Sequence, residues 1–207
     1  MKKLLLFAAV AAGLSVNAQN WQVRLRGVSV QPVEKSTIGT IGGNASVSNA
    51  FIPELDFTYF FNKNIAAELI LGTSKHDVVA KGTALGDVDL GSVRLLPPTL
   101  TVQYHFYPTK SLKPYVGTGI NYTIFYDEGK NPAAAVTKVE YKDNVGFALQ
   151  AGVDYFINEK FFLNLDAKKL FLQTDVKVHT VPAIGATVPA DVKLNPWVLG
   201  FGVGMKF

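Results

Sequence analysis

The sequence has no cysteine among its 207 residues, which excludes a disulfide framework and any metal or iron–sulfur site held by cysteine. Charged residues are scarce as well, at 17% of the chain, whereas soluble domains usually carry about 25%. The three histidines lack the HxH or HExxH spacing of a metal site. Hydrophobic residues, in contrast, reach 48%. This composition predicts a folded protein without metal or cofactor, part of whose surface faces something other than water.

Residues 1–18 differ from the rest of the chain. They begin with Lys2 and Lys3, continue with an apolar run over residues 4–13 and end on Val-Asn-Ala. This order is typical of a secretory signal peptide cleaved after the alanine, and the apolar run is about half of the ~20 residues that a membrane-spanning helix requires. We therefore predict an exported protein whose single domain covers residues 19–207.

The remaining chain favours a membrane protein built from strands. The two lysines of the leader supply half of the net charge of +4, so the mature chain gives little support to nucleic-acid binding. Its longest uncharged stretches are also poor helices, because residues 36–53 and 114–126 are interrupted by Gly, Asn and Ser. A closed β-barrel is the other way to cross a bilayer, since every backbone group then pairs with a neighbouring strand.

Eight segments alternate large apolar residues with polar or small ones, which is the period of a β-strand. In a membrane barrel the large side chains face lipid and the others line the lumen. These segments predict an eight-stranded antiparallel barrel in the outer membrane. They cover residues 21–26, 51–61, 65–72, 99–106, 116–124, 147–157, 161–168 and 197–207.

The connections between these segments alternate between short and long. Short turns are predicted at residues 62–64, 108–112 and 158–159, while the other connections are much longer. Outer-membrane barrels have short periplasmic turns and long extracellular loops. A soluble barrel of the lipocalin type is the main alternative fold. The face that it would expose to water is poor in Lys and Glu and rich in Gly, Thr, Gln and Asn, which suits a narrow lumen better.

The same alternation sorts the inward residues by height in the lumen. Charges of both signs fall in the lower and middle part, where we expect them to pair and to plug the barrel rather than to conduct ions. This predicted charge belt consists of Arg24, Arg26, Asp56, Glu68, Asp154, Asp166 and Lys168. Apolar residues fall above the belt and predict a path for a hydrophobic ligand. This upper set consists of Val28, Val30, Ile52, Ile70, Leu95, Pro97, Leu170 and Leu172.

Pro97 and Pro98 are consecutive prolines that we expect to lie within a barrel strand and to part it locally from a neighbour. Proline has no backbone N–H to donate to a neighbouring strand, so prolines in sheets are confined to edges and bulges. One interpretation is a weak lateral seam through which an apolar solute leaves for the bilayer. The other is a bulge near the rim of the barrel, where bulges are common.

Two further functions compete with passage of a hydrophobic solute. An enzyme would need a reactive pair such as His76 beside Asp77, but a sequence neighbour is weak evidence for general-base geometry. We therefore predict no catalytic residue. The other alternative is a binding or receptor barrel that acts through its long loops while the lumen is inert.

The sequence also resembles the OmpW family of small outer-membrane proteins. The resemblance is carried in order by the stretches 21–26, 53–61, 64–69, 88–106, 113–123, 148–155 and 195–204, the fourth of which reads VDLGSVRLLPPTLTVQYHF. It implies an eight-stranded barrel with an apolar interior that passes small hydrophobic compounds inward. Some members of the family serve as colicin receptors, which makes a colicin or another surface ligand at the loops a further expected partner beside outer-membrane lipid.

Overall fold

A computed structural model describes residues 20–38, 42–107, 109–130, 132–181 and 187–207. The predicted leader, residues 1–18, lies outside the described residues. Among those that are described, no helix has the length and apolar character needed to cross a membrane. The structure is all-β. Its strands are β1 (Trp21–Gln31), β2 (Lys35–Ile38), β3 (Asn44–Val47), β4 (Ala50–Phe60), β5 (Ile65–Gly72), β6 (Ser74–Thr83), β7 (Gly86–Leu96), β8 (Thr99–His105), β9 (Leu112–Lys130), β10 (Val136–Tyr141), β11 (Asn144–Phe156), β12 (Phe161–Phe171), β13 (Gln173–Thr180), β14 (Thr187–Lys193) and β15 (Trp197–Lys206).

Eight of these strands close into a barrel. Around the ring they follow the order β11, β12, β15, β1, β4, β5, β8 and β9, and β9 pairs back with β11. All of these pairings are antiparallel. Each predicted segment falls on one of the eight strands and passes its end by at most one residue, so the eight-stranded antiparallel barrel is confirmed.

Large apolar side chains cover the outside of the barrel. Leu165 and Phe201 are 56% and 57% exposed, whereas the neighbouring polar residues Gln150 and Asp166 are only 4% and 5% exposed. The period of two therefore has the predicted sense, with apolar residues outward and polar residues in the lumen.

Tight turns close one end of the barrel, which we call the turn end. In two of them an asparagine side chain accepts hydrogen bonds from the backbone two and three residues later, as asparagine commonly does in turns. Asn62 Oδ1 accepts from the N–H groups of Asn64 and Ile65, both at 2.9 Å. Asn158 makes the same arrangement with the backbone of residues 160 and 161. Sequence-local hydrogen bonds thus fix the short connections.

The opposite end, which we call the loop end, carries more strand than the sequence indicates. The long connections fold into β2, β3, β6, β7, β10, β13 and β14, here called the collar. In the collar, β3, β6 and β7 extend the barrel sheet, while β10, β13, β14 and β2 form a second sheet. Apolar side chains from both parts, mostly aliphatic, pack into one cluster over the lumen. This packing stabilises segments that intrinsic β-propensity alone does not predict to be strands.

Candidate functional site

Arg24 stands at the centre of the charge belt and is fully buried. Its Nε lies 2.7 Å from Asp56 Oδ1, and its Nη2 donates to Thr58 Oγ1 at 2.7 Å. The same nitrogen forms an ion pair with Glu68. Because one guanidinium presents five donors in a fixed plane, Arg24 can hold several partners at once.

Arg26 lies one position higher along the inner face and joins the same acids. Its Nη2 is 2.9 Å from Asp56 Oδ2, 2.9 Å from Glu54 Oε1 and 3.1 Å from Glu68 Oε1. Space for both arginines comes from β15, because a Cβ atom at Gly202 would lie 2.7 Å from Arg26 Cγ and one at Gly204 would lie 2.8 Å from Arg24 Cγ. The glycines of β15 therefore make room for the belt.

Lys168 completes the belt toward the loop end. Its Nζ is 2.7 Å from Asp166 Oδ1 and 3.0 Å from Glu54 Oε1. Asp154, the remaining predicted member, lies 3.6 Å from Arg24 and accepts a hydrogen bond from Asn164 at 2.8 Å. The seven predicted residues thus lie in one buried network. Glu54 is a further member that the prediction left out, although it has the same parity as Asp56 on β4.

An aromatic layer closes the lumen below the belt, at the turn end. Phe156 stacks on Phe162 with 4.8 Å between ring centroids. The His105 ring lies 4.8 Å from Phe60 and 5.0 Å from Tyr115. Rings and paired charges together fill this half of the barrel, as expected for an eight-stranded lumen.

An apolar cavity of about 500 Å³ lies above the belt, and we call it the upper cavity. Glu54 and Lys168 are the belt residues that reach its floor. All eight residues of the predicted upper set line it: Val28, Val30, Ile52, Ile70, Leu95, Pro97, Leu170 and Leu172. The collar supplies the roof, for example through Ile38, Val78 and Val188. Those roof residues were missed because their strands were taken for loops.

Ser74 and His76 are polar side chains in the wall of the upper cavity, buried on β6. His76 Nδ1 lies 2.6 Å from the Ser48 carbonyl oxygen, and its Nε2 lies 2.9 Å from Ser74 Oγ. Since a carbonyl only accepts, Nδ1 carries the proton and Ser74 donates to Nε2. Burial lowers the pKa of His76 below its usual value of 6.5. Within the described chain, no group of three or more His, Cys, Asp or Glu is arranged as a metal site.

Pro97 and Pro98 join β7 to β8 instead of lying inside one strand, which corrects the expectation from sequence. On one side β9 follows both strands, and Tyr122 donates its backbone N–H to the Pro98 carbonyl at 3.1 Å. On the other side the ladder stops at the pair Ile70–Thr99 and resumes at the pair Ser74–Leu95. The interval between these two pairs, opposite the prolines, is here called the seam.

One side-chain contact spans the seam on its outer side. Thr73 belongs to the connection between β5 and β6, whereas Tyr126 lies on β9, beyond β7. Their hydroxyl groups are hydrogen-bonded to each other, and the contact is exposed. We call this contact the latch. No sequence signal pointed to it, because it depends on the pairing of β7 with β9.

The closed ring, the apolar outer surface and the filled lower lumen define a bacterial outer-membrane β-barrel. The chain matches the model of the OmpW family over residues 16–207, and it therefore belongs to that family. The turn end faces the periplasm and the collar faces the outside of a Gram-negative cell.

Individual relatives agree with this assignment. The chain is 44% identical to an uncharacterised outer-membrane protein of Sinorhizobium fredii, with 96% of this chain and 82% of the relative covered. It is 36% identical to outer membrane protein W of Escherichia coli, with both chains fully covered. The crystal structure of the outer membrane protein OprG from Pseudomonas aeruginosa is similar with a TM-score of 0.84 at 30% identity, covering 92% of this chain and 96% of that one.

Proposed function

We propose that this barrel gives small hydrophobic molecules a narrow way in from the outer face and releases them sideways into the bilayer. The observation that carries the proposal is the upper cavity, an apolar space of about 500 Å³ with charges only at its floor and rim. Barrel interiors are usually polar. An apolar space of this size at the outer end has the character of a site for small apolar ligands.

The free energy available to such a ligand is appreciable. A molecule that buries about 200 Å² of apolar surface gains roughly 5 kcal/mol at 25 cal/mol per Å². Part of this gain offsets the loss of translational and rotational freedom on binding. The surplus supports weak, reversible binding, which suits a passage better than a storage site.

The charge belt closes the direct way down. To pass it, an apolar molecule would separate Lys168 from Glu54 and Asp166, and breaking a buried ion pair is strongly unfavourable. The aromatic layer then adds a second barrier. A solute held in the upper cavity consequently needs another exit.

The seam supplies this exit in our proposal. Pro97 and Gly72 line the upper cavity from the two sides of the seam, and neither proline can donate a backbone hydrogen bond across it. The outer surface at this level faces lipid, into which an apolar solute partitions favourably. Lateral release thus avoids both the belt and the periplasmic water.

A double substitution of Pro97→Val and Pro98→Val tests the exit. It restores two N–H donors and should slow the uptake of a hydrophobic probe several-fold in cells whose lipopolysaccharide leaflet is intact. Pro189→Val in the collar is the matched control. Uptake that stays at the wild-type level would mean that the prolines only bend the strand. If cells with the wild-type barrel take up the probe no faster than barrel-free cells, the result favours loop-mediated binding with an inert lumen.

A further inference from the structure

The turn end of the barrel carries an open pocket that the proposed function does not use. Its volume is about 710 Å³, and it lies below the aromatic layer, where β9, β11, β12 and β15 reach the periplasmic side. Four lysines line this pocket, against a single acidic side chain. We call it the basic pocket and define it by Lys110, Lys113, Lys160 and Lys206 together with Ile157 and Phe207.

Two of the lysines face the lower mouth of the lumen. Lys113 and Lys206 have the inward parity of their strands and are half-buried, and they lie close enough for their positive charges to repel each other. Asp154 attracts Lys113 from the lumen side, but this carboxylate already accepts a hydrogen bond from Asn164 and faces Arg24. Counted over the described part of the chain, none of the four pocket lysines forms an ion pair with a carboxylate.

The charges of the basic pocket do not balance. Four ammonium groups are opposed by Glu159 and by the carboxylate of the last residue, Phe207, so four positive charges against two negative ones leave an excess of two. Neighbouring like charges destabilise each other, and an anion placed between them removes this repulsion. The basic pocket therefore has the electrostatics of an anion-binding site.

Backbone hydrogen bonds fix the frame of the basic pocket. Lys206 donates its N–H to the Lys160 carbonyl oxygen at 2.8 Å, which places these two lysines beside each other. Phe156 donates its N–H to the Ser111 carbonyl oxygen, also at 2.8 Å, and so ties the β8–β9 turn to the end of β11. A frame that exists before the ligand arrives lowers the entropic cost of binding.

The rim of the basic pocket continues into the lipid-facing surface. Ile157 and Phe207 line the pocket, have the outward parity of their strands and are 62% and 48% exposed. A phospholipid presents a phosphate group directly beside apolar chains, which matches lysines beside an apolar rim. Lysine side chains at a membrane boundary extend their ammonium groups toward the head groups, and basic pockets at the ends of membrane-spanning segments bind anionic lipids.

We propose that the basic pocket binds the phosphate head group of an anionic phospholipid from the periplasmic leaflet of the outer membrane. Lys113 and Lys206 donate to the phosphate oxygens, since each ammonium group offers three donors and no acceptor. Ile157 and Phe207 contact the start of the acyl chains. Phosphatidylglycerol offsets the excess positive charge, whereas phosphatidylethanolamine brings an ammonium group of its own. The site is separate from the upper cavity and does not depend on lateral release.

Native mass spectrometry of the full chain in detergent tests this assignment. The protein is mixed with equal amounts of dioleoyl phosphatidylglycerol and dioleoyl phosphatidylethanolamine, and the ratio of the two lipid adducts is measured. The wild type should retain phosphatidylglycerol preferentially. Lys113→Gln with Lys206→Gln should lower this preference about tenfold, because charge-assisted hydrogen bonds to the phosphate are lost. Lys63→Gln with Lys177→Gln is the control, since it removes two charges outside the pocket and should leave the ratio unchanged.

A second variant guards against a folding defect. Heat-modifiable migration on a gel verifies folding, and Lys110→Gln with Lys160→Gln changes only the exposed turn lysines, so it should lower the preference in a folded barrel. Equal retention of both lipids by the wild type would overturn the proposal. A preference that both lysine-pocket variants leave unchanged would also overturn it.

Two competitors distinguish the source of the anion. Excess glycerol phosphate has the same phosphate group without acyl chains and should displace little of the bound lipid. Complete displacement would assign the basic pocket to a free phosphate and overturn the lipid assignment. Retention of neither lipid by a wild-type protein that binds a polyglutamate peptide would overturn it in favour of an acidic periplasmic partner.

Discussion

At the scale of single residues, the charge belt depends on acids that serve several cations at once. Glu68 pairs with Arg24 and Arg26, and it also accepts hydrogen bonds from Gln103 at 2.7 Å and Gln150 at 2.8 Å. This concentration of partners makes Glu68 more sensitive to substitution than an average buried acid. Its loss leaves two buried guanidinium groups with one partner fewer.

We therefore expect Glu68→Leu to lower the free energy of unfolding by about 3 to 5 kcal/mol, the usual cost of breaking a buried ion pair. Urea titration of the protein in lipid vesicles measures this change. The exposed turn residue Glu159 is the control, and Glu159→Gln should stay within about 0.5 kcal/mol of the wild type. Equal midpoints for the wild type and Glu68→Leu would show that the belt does not hold the barrel together.

The latch is a second contact at this scale. Its removal should speed lateral release, whereas the double substitution of Pro97 and Pro98 should slow it. Tyr126→Phe deletes the hydroxyl that bonds Thr73 across the seam. Because one hydrogen bond contributes about 1 kcal/mol, lateral release should become about fivefold faster. Uptake of an apolar probe by whole cells reports the effect. Tyr104→Phe on the outer surface of β8 is the control, and a Tyr126 variant slower than this control would contradict the role of the latch.

At the scale of elements, the β6–β7 hairpin carries a titratable group in a buried position. Burial holds the pKa of His76 below its usual value, and the Ser48 carbonyl and nearby Asp77 oppose this shift only in part. The opened hairpin then binds a proton more readily than the closed one. The stability of the hairpin is fully present above the usual histidine pKa and falls as pH drops through it.

Hydrogen exchange of the β6–β7 hairpin should accordingly be several-fold faster at pH 5 than at pH 7 once the intrinsic exchange rates are corrected for. His76→Gln keeps a polar side chain without a titration in this range, so its exchange should lose most of the pH dependence. The β1–β15 pair provides an internal reference, since it contains no histidine. A hairpin that becomes more protected at pH 5 would contradict this sign.

The elements also show how far the sequence alone could lead. The barrel strands were predictable because residues such as Leu165 and Phe201 mark a lipid face with period two. The collar was not, because strands such as β13 and β14 lie in the long connections and carry only small aliphatic residues in place of the large lipid-facing ones that marked the barrel strands. Their partners are also remote in the chain: β14 pairs with β2, which precedes it by some 150 residues.

Individual site residues likewise divide into those that the sequence predicts and those that depend on the packing of neighbouring strands. Parity along each strand placed the seven belt residues and the eight residues of the upper set in the lumen. It did not single out Glu54, because inward parity alone does not tell which acid reaches Lys168. The latch between Thr73 and Tyr126 depends on neighbouring strands, and a single sequence contains no record of those neighbours.

At the scale of the whole molecule, the barrel divides into two halves with different tasks. The half toward the periplasm is filled by aromatic rings and by charges that pair with one another. Because this lumen is too narrow for water to solvate the charges, their pairing stabilises it. The outer half is roofed by the collar and holds the upper cavity. Stability and binding are thus separated along the barrel axis, with the seam at their boundary.

The central claim is that apolar molecules occupy the upper cavity, and photolabelling tests it most directly. A diazirine-bearing alkane would be added to cells that express the wild-type barrel, irradiated, and its attachment sites read by mass spectrometry. The account predicts labels on Leu95, Leu170 and Leu172 that excess unlabelled alkane suppresses. Saturable labels absent from these residues, with modification only on lipid-facing Leu165 and Phe201, would contradict it.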